Sequence, residues 1–88
     1  MAELTVSVVS ADSQIWSGKA KQLIAKTTVG EIGILAGHEP ILAILAPGQV
    51  RVTTVDGALV TATAEDGFIS VEHDTVTIVA RNAELLQD

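Results

Sequence analysis

Two histidines flanked by carboxylates are the residues of this chain with the clearest capacity for acid–base chemistry. His38 is followed by Glu39, and His73 lies between Glu72 and Asp74. Neighbouring side chains on an extended chain point to opposite faces, so these groups do not converge as catalytic pairs do. The sequence also contains no nucleophile elbow and no H-E-x-x-H motif. We therefore expect His73 to be a solvated turn residue and the chain not to be an enzyme.

Three glycines in the stretch GEIGILAG raise the question of a phosphate-binding loop. Gly30, Gly33 and Gly37 do not match G-x-G-x-x-G, no lysine follows as in a P-loop, and Pro40 blocks entry into a helix. Two histidines without any cysteine also disfavour a zinc site. We expect no cofactor and no metal. Two interpretations of the glycines stay open, namely close backbone packing and recognition of a partner.

Composition narrows the class of partner. The chain has 88 residues, a net charge of −6 and only five Lys and Arg residues, which disfavours nucleic acid and anionic lipid. The longest apolar run, ILAILA, has six residues, too few to span a membrane, and the N-terminus lacks the basic residues of a secretory signal. The absence of cysteine fits a reducing compartment. We expect a cytosolic chain whose partners are proteins.

Hydrophobic periodicity predicts strands at both ends of the chain. Apolar residues alternate in LTVSVV and again in TVTIVA. Between these segments, turn signals recur every eight to ten residues, as in an antiparallel sandwich or a flattened barrel. The signals are Ala11-Asp12-Ser13, Ser17-Gly18, Val29-Gly30, Gly37 to Pro40, Pro47-Gly48, Asp56-Gly57, Asp66-Gly67 and His73-Asp74. The chain is long enough for one domain, so we predict a single all-β domain over residues 1–88.

The residues alone also predict a hairpin turn, two core aromatic residues and the start of a helix. Asp56-Gly57 is expected to form a type I′ hairpin turn, which needs positive φ at both central positions. The aromatic residues Trp16 and Phe68 are expected in the core, and the alternative for Trp16, which lies beside a turn, is a partly exposed contact role. The terminal segment RNAELLQD has the composition of a helix, so strands are expected over roughly 1–81 and the start of a helical region over 82–88.

The chain also resembles the epsilon subunit of bacterial F-type ATP synthase along nearly its whole length. The segments that carry the resemblance are VVSADSQIWSGKA (8–20), TTVGEIGILAGHEPILAILAPGQVRV (27–52) and EDGFISVEHDTVTIVARNAEL (65–85). Their ordered combination is far more specific than any one motif. The resemblance implies a flattened ten-stranded sandwich or barrel of two five-stranded antiparallel sheets.

The family's function supplies the expected partners. The resemblance implies a non-catalytic central-stalk subunit, part of the rotor, which joins the gamma subunit to the c-ring and couples proton translocation to ATP synthesis. The expected location is peripheral, at the cytoplasmic face of the bacterial plasma membrane, without insertion into the bilayer. The residues matched to the c-ring contact are Gly30, Glu31, Ile32 and Gly33, and those matched to a contact with gamma or the c-ring are Ser10, Gly37, His38 and Pro40.

The sequence departs from the family pattern at its C-terminal end. Family members usually continue into a helical hairpin that inhibits hydrolysis and in some members binds ATP, whereas this sequence ends at Asp88. It is thus a fragment or a naturally short subunit, from which we expect neither inhibition by a hairpin nor nucleotide binding. The alternatives are a biotinyl-like or lipoyl-like carrier, which needs a lysine at a hairpin tip, and a free-standing protein-binding module.

Overall fold

Alternating apolar residues build a fold made of strands. The computed structural model describes residues 3–11, 13–37 and 39–86. Leu4, Val6 and Val8 are buried, whereas Thr5 and Ser7 face outward, as the period of two predicts. The all-β class is confirmed. The strands are β1 (Leu4–Val9), β2 (Gln14–Thr27), β3 (Gly30–Leu35), β4 (Ile41–Thr54), β5 (Leu59–Glu72) and β6 (Thr75–Leu86).

The strands close into a barrel of five with one additional strand. The order is β1-β6-β5-β4-β2-β3, and a further pairing between β1 and β2 closes the ring. β3 pairs with β2 outside this ring. The β1–β6 pairing is parallel and the other pairings are antiparallel. In the closed ring β1, β4, β5 and β6 each have two partners, and β2 has β3 as a third. β3 has a single partner, so it is the strand placed at an edge.

The structure contains six strands in its described parts, where the resemblance implied ten in two antiparallel sheets. Three predicted turns, at Ser17-Gly18, Pro47-Gly48 and Asp66-Gly67, lie inside strands of 14 residues. Each of these strands continues through its predicted turn without ending. Pro47, which has no amide hydrogen to donate, falls between the paired positions Ile44↔Phe68 and Gly48↔Ala64.

The predicted hairpin at Asp56-Gly57 is present, but its turn is not type I′. β4 ends at Thr54 and β5 begins at Leu59, so the loop has four residues. Gly57 has a positive φ of 91°, whereas Asp56 does not appear in the left-handed region. The Gly57 amide donates to the Thr54 carbonyl at 3.0 Å, which closes a tight turn before the ladder begins.

The last strand passes beyond the predicted boundary. β6 continues to Leu86, and residues 82–86 pair with β5, where composition predicted the start of a helix. Leu85 pairs with Ala62, and Leu86 pairs with Thr61. A neighbouring strand supplies hydrogen bonds to these residues, and such tertiary pairing overrides weak local propensity.

The core of the barrel is aliphatic. Its buried hydrophobic residues are Leu4, Val6, Val8, Ala20, Leu23, Ala25, Ile34, Leu45, Val50, Val52, Ala62, Ala64, Ile69, Val71, Val76, Ile78 and Ala80. The expectation of a core Phe68 was wrong, because this ring is 38% exposed on the outer face. Trp16 is half-buried against the core, and its ring lies over Gly18.

Candidate partner-binding surface

The hairpin between β2 and β3 fixes the first of the candidate residues. The buried Thr27 hydroxyl donates to the Gly30 carbonyl at 2.6 Å and accepts from the Val29 amide at 3.3 Å. Gly30 has a φ of 122°, which an L side chain rarely adopts. This turn is short enough for pairing to start at Gly30, so GEIGIL is a strand and not the loop that its glycines suggested.

Glu31 is exposed, as predicted, but it already has a partner within the chain. It pairs across the sheet with Lys26, and its carboxylate oxygen lies 3.4 Å from a guanidinium nitrogen of Arg51 on β4. Both side chains are about half exposed, so the pair is weak and orients the carboxylate more than it stabilises the fold. Sequence reasoning missed Arg51, which is 20 residues away and two strands across.

The next two candidates lie on opposite faces of β3. Ile32 is half-buried and packs against the core, so it is not the exposed neighbour of Glu31 that the sequence suggested. Gly33 shares the outer face with Glu31, and a Cβ placed there would meet no atom within 4 Å. Close packing inside this chain therefore does not require a glycine at position 33.

The remaining candidates lie at two other points of the fold. Ser10 follows β1 in a turn, where its amide donates to the Ser13 carbonyl at 2.8 Å. Gly37 and the exposed Pro40 lie in the corner between β3 and β4, and the Gly37 amide donates to the Asp74 carboxylate at 2.6 Å. His38 was also a candidate, but it lies outside the described residues. His73, predicted to be a turn residue, is exposed in the turn between β5 and β6.

An apolar outer face, not identified from the sequence, lies among these points. Its central row runs Ile44↔Phe68, Phe68↔Val79 and Val79↔Val9 across four strands. Ile44 is 58% exposed, and Leu42, two residues earlier, is 70% exposed. The neighbouring row consists of Leu42, Ser70, Thr77 and Ser7 and carries no charge. We call these eight residues, five of them hydrophobic and three of them with hydroxyl side chains, the apolar face.

Two of the candidate residues, Ser10 and Pro40, border this face. Ser10 follows Val9 at one end of the central row, and Pro40 precedes the β4 segment that supplies Leu42 and Ile44. The Thr28 amide, in the turn before Gly30, donates to the Ile44 carbonyl at 3.0 Å. The barrel thus places segments that are distant in sequence around one uncharged surface, which is typical of a protein-binding site.

The described residues offer little for other functions. They contain no group of three or more His, Cys, Asp or Glu side chains that could hold a metal ion. Within the same ranges, no helix is long and apolar enough to cross a membrane.

Comparison with known proteins identifies the family of this domain. Residues 3–86 match the family model described as "ATP synthase, Delta/Epsilon chain, beta-sandwich domain". The chain belongs to this ATP synthase delta/epsilon family. The resemblance stated from the sequence is therefore confirmed, and so is the expectation of a non-catalytic subunit of ATP synthase.

Relatives in the delta/epsilon family are similar along the whole chain. The ATP synthase epsilon chain of Micrococcus luteus is 55% identical over 85 residues, which cover 97% of this chain and 93% of the relative. The epsilon chain of Rhodococcus erythropolis is 47% identical over 89 aligned positions, which cover this whole chain and 73% of the relative.

Solved structures of ATP synthases contain the same fold. A chain in the mitochondrial ATP synthase of Euglena gracilis, solved with its c-ring, superposes with a TM-score of 0.90 at 28% identity. The match covers 97% of this chain and 54% of that one. A chain from the central stalk and c-ring of Tetrahymena thermophila mitochondrial ATP synthase has a TM-score of 0.73 at 16% identity and shares the fold. It is matched over 64% of its length.

Family membership does not favour the carrier alternative, and the positions of the lysines agree. Lys19, Lys21 and Lys26 all lie within β2. The turn between β2 and β3 contains Thr28 and Val29, and the tip between β4 and β5 contains Asp56 and Gly57. None of these described hairpin tips presents the lysine to which a biotinyl or lipoyl group would be attached.

Proposed function

We propose that this domain joins the gamma subunit to the c-ring in the central stalk of an ATP synthase, and so couples proton translocation to ATP synthesis. The observation that carries the proposal is the apolar face, where Leu42 and Ile44 are more than half exposed beside Phe68 without an intervening charge. Large exposed apolar patches with polar rims mark protein contacts. Membership in the ATP synthase delta/epsilon family supplies the kind of complex in which this contact is made.

The apolar face suits the gamma subunit. Its two rows contain no charged residue, so a partner can cover them without stripping water from an ion. Glu72, paired with Thr75, begins the charged rim beyond the second row. Ser10 borders the first row at β1, in agreement with the gamma-facing role assigned to it by the resemblance.

β3 suits the c-ring. It is the edge strand of the sheet, and its outward residues combine the Glu31 carboxylate with the open surface over Gly33. A basic loop of the c-ring would meet this acid and would share it with Arg51 or displace that side chain. Such an exposed pair sets orientation more than affinity. Gly30, Ile32, Gly37, His38 and Pro40 keep their proposed roles as neighbouring contact residues.

In this function the protein is a peripheral part of the complex. We place it at the cytoplasmic face of a bacterial plasma membrane, outside the bilayer, and expect no nucleotide to bind to residues 1–88. The two five-stranded sheets implied by the resemblance correspond in this proposal to the two halves of the 14-residue strands. No catalytic group is required, because the subunit transmits rotation.

The experiment that tests the gamma contact compares two leucines of similar exposure on different faces. Leu42 is 70% exposed on the apolar face, and Leu59, where β5 begins, is 63% exposed away from it. We expect Leu42→Asp to weaken binding to purified gamma subunit by about tenfold or more in titration calorimetry, the loss of an interface anchor. Leu59→Asp should bind within about twofold of the wild type.

Both variants should keep the strand signal in circular dichroism, since neither leucine belongs to the core. Equal losses of affinity in the two variants would remove the apolar face as the gamma site. A folded wild-type chain that fails to bind gamma at all would overturn the proposed function itself.

A further inference from the structure

The turn between β5 and β6 adopts a backbone conformation that few residues accept. His73 has a φ of 49° and Asp74 a φ of 59°, both in the left-handed region. Aspartate tolerates this region better than most residues because its short side chain forms local polar contacts. The backbone conformation of the turn therefore fixes the direction in which the Asp74 side chain leaves the main chain.

Asp74 connects three segments that are distant in sequence. Its carboxylate oxygen accepts a hydrogen bond from the Gly37 amide at 2.6 Å, across 37 positions of sequence. Its main-chain carbonyl accepts from the Thr5 amide at 2.8 Å. A hydrogen bond to an ionised carboxylate is shorter and stronger than one between neutral groups. One residue thus ties the start of β1 and the corner after β3 to the β5–β6 turn.

The corner after β3 has particular need of such a bond. The described residues between β3 and β4 are Ala36, Gly37, Glu39 and Pro40, and none of them belongs to a strand. Gly37 has a φ of 88°. Glycine can adopt many other backbone conformations, so a bond to its amide is needed to keep it in this one. The Asp74 carboxylate holds that amide, at the residue that directly precedes His38 in the sequence.

We propose that Asp74 is a positioning residue that holds Gly37, in the corner after β3, in the conformation that meets the gamma subunit or the c-ring. The inference rests on the proposed function, because it gives the corner a partner. Asp74 acts through Gly37, and no contact of Asp74 itself with the partner is required. The sequence predicts Asp74 only as a neighbour of His73 in a turn, since nothing local links it to residue 37.

Two substitutions with the same change of charge separate the hydrogen bond from the backbone conformation. Asp74→Gly accepts the positive φ but has no acceptor, whereas Asp74→Asn keeps an acceptor oxygen and also tolerates the left-handed region. We expect Asp74→Gly to raise the hydrogen-exchange rate of the Gly37 amide, measured by NMR, by about tenfold. Asp74→Asn should stay within about threefold of the wild type.

Binding to a gamma–c-ring subcomplex provides the second readout on the same proteins. Asp74→Gly should lower the affinity by about threefold to tenfold, and Asp74→Asn should restore most of it. Unchanged exchange at Gly37 in Asp74→Gly would disprove the hydrogen-bond role directly. Faster exchange with unchanged affinity would overturn the positioning role. Failure of the wild-type chain to bind would instead overturn the proposed function, while the exchange data would still decide whether Asp74 holds Gly37.

Discussion

Glu31 shows at the scale of single residues how an exposed charge can be predicted while its partner is not. An acid between glycine and isoleucine is expected at the surface, and the structure places it there. Arg51 reaches it only because β4 and β3 flank the same strand, β2. The resulting ion pair is a product of strand order, which no local pattern contains.

The structure perturbs the titration of Asp56. The Thr54 hydroxyl donates to its carboxylate, and this hydrogen bond, with help from backbone amides in the turn, holds the pKa of Asp56 below its ordinary value of 3.8. Between the lowered pKa and 3.8 the unfolded chain binds more protons than the folded one, so stability rises with pH in that window. The contribution is complete above 3.8 and is lost as the pH falls through the lowered pKa.

We therefore expect the wild type to lose stability relative to Asp56→Asn when the pH falls below 3.8. Asparagine keeps an acceptor for the Thr54 hydroxyl but does not titrate. Urea unfolding of both proteins at a series of pH values measures the difference in free energy of unfolding. A difference that is independent of pH would show that the Thr54 hydrogen bond does not depend on the charge of Asp56.

At the scale of the strand, the strongest local constraint is the close approach of β5 to β6 at Gly67. A Cβ added to Gly67 would lie 1.8 Å from the Val79 carbonyl oxygen and 2.5 Å from the Ala80 Cα, both of them backbone atoms. Asp66, just before it, has a φ of 60°. The Asp66-Gly67 pair thus looks like a hairpin turn in sequence, yet it is an irregularity within β5 that the neighbouring backbone requires.

This geometry predicts different outcomes for two glycine-to-alanine substitutions. Gly67→Ala should lower the free energy of unfolding by about 3 kcal/mol or more, because backbone atoms of β6 must move. Gly33→Ala, in open space on β3, should change it by less than about 1 kcal/mol. Urea denaturation of the two variants measures both values, and similar losses would contradict the close approach.

At the scale of the molecule, barrel closure creates two surfaces for two proposed partners. The apolar face lies over β4, β5, β6 and β1, whereas Glu31 lies on the edge strand β3, beyond β2. A coupling subunit needs both surfaces on a rigid body, because a force received at one must reach the other. A closed ring of hydrogen-bonded strands around an aliphatic core provides that rigidity.

The charge of Glu31 leads to a prediction for the assembled enzyme. Glu31→Lys should leave the fold and gamma binding intact but lower coupled ATP synthesis in membranes by about twofold to tenfold, because it sets like charges against a basic c-ring loop. Glu84→Lys makes the same change of charge on β6 and should have little effect. Unchanged synthesis in Glu31→Lys would remove this carboxylate from the coupling mechanism.

The residues of the apolar face mark the limit of prediction from sequence. In ILAILA every residue is apolar, so periodicity does not distinguish the buried Leu45 from the exposed Leu42 and Ile44. Phe68 was assigned to the core because aromatic rings usually bury, although its register with Ile44 turns it outward. The candidate residues at the border of the face came instead from the resemblance, which carries information that the physics of single residues does not.

The sequence by itself determined the all-β class, the inward faces of β1 and β6, the exposure of Glu31 and the membership in the delta/epsilon family, because alternation and ordered motifs are local properties of the chain. Only the tertiary structure decided the closure of the barrel through the parallel β1–β6 pair, the apolar face and the bond from Asp74 to Gly37. These features depend on which strands become neighbours. The strands take this arrangement because it buries their apolar residues in one shared core.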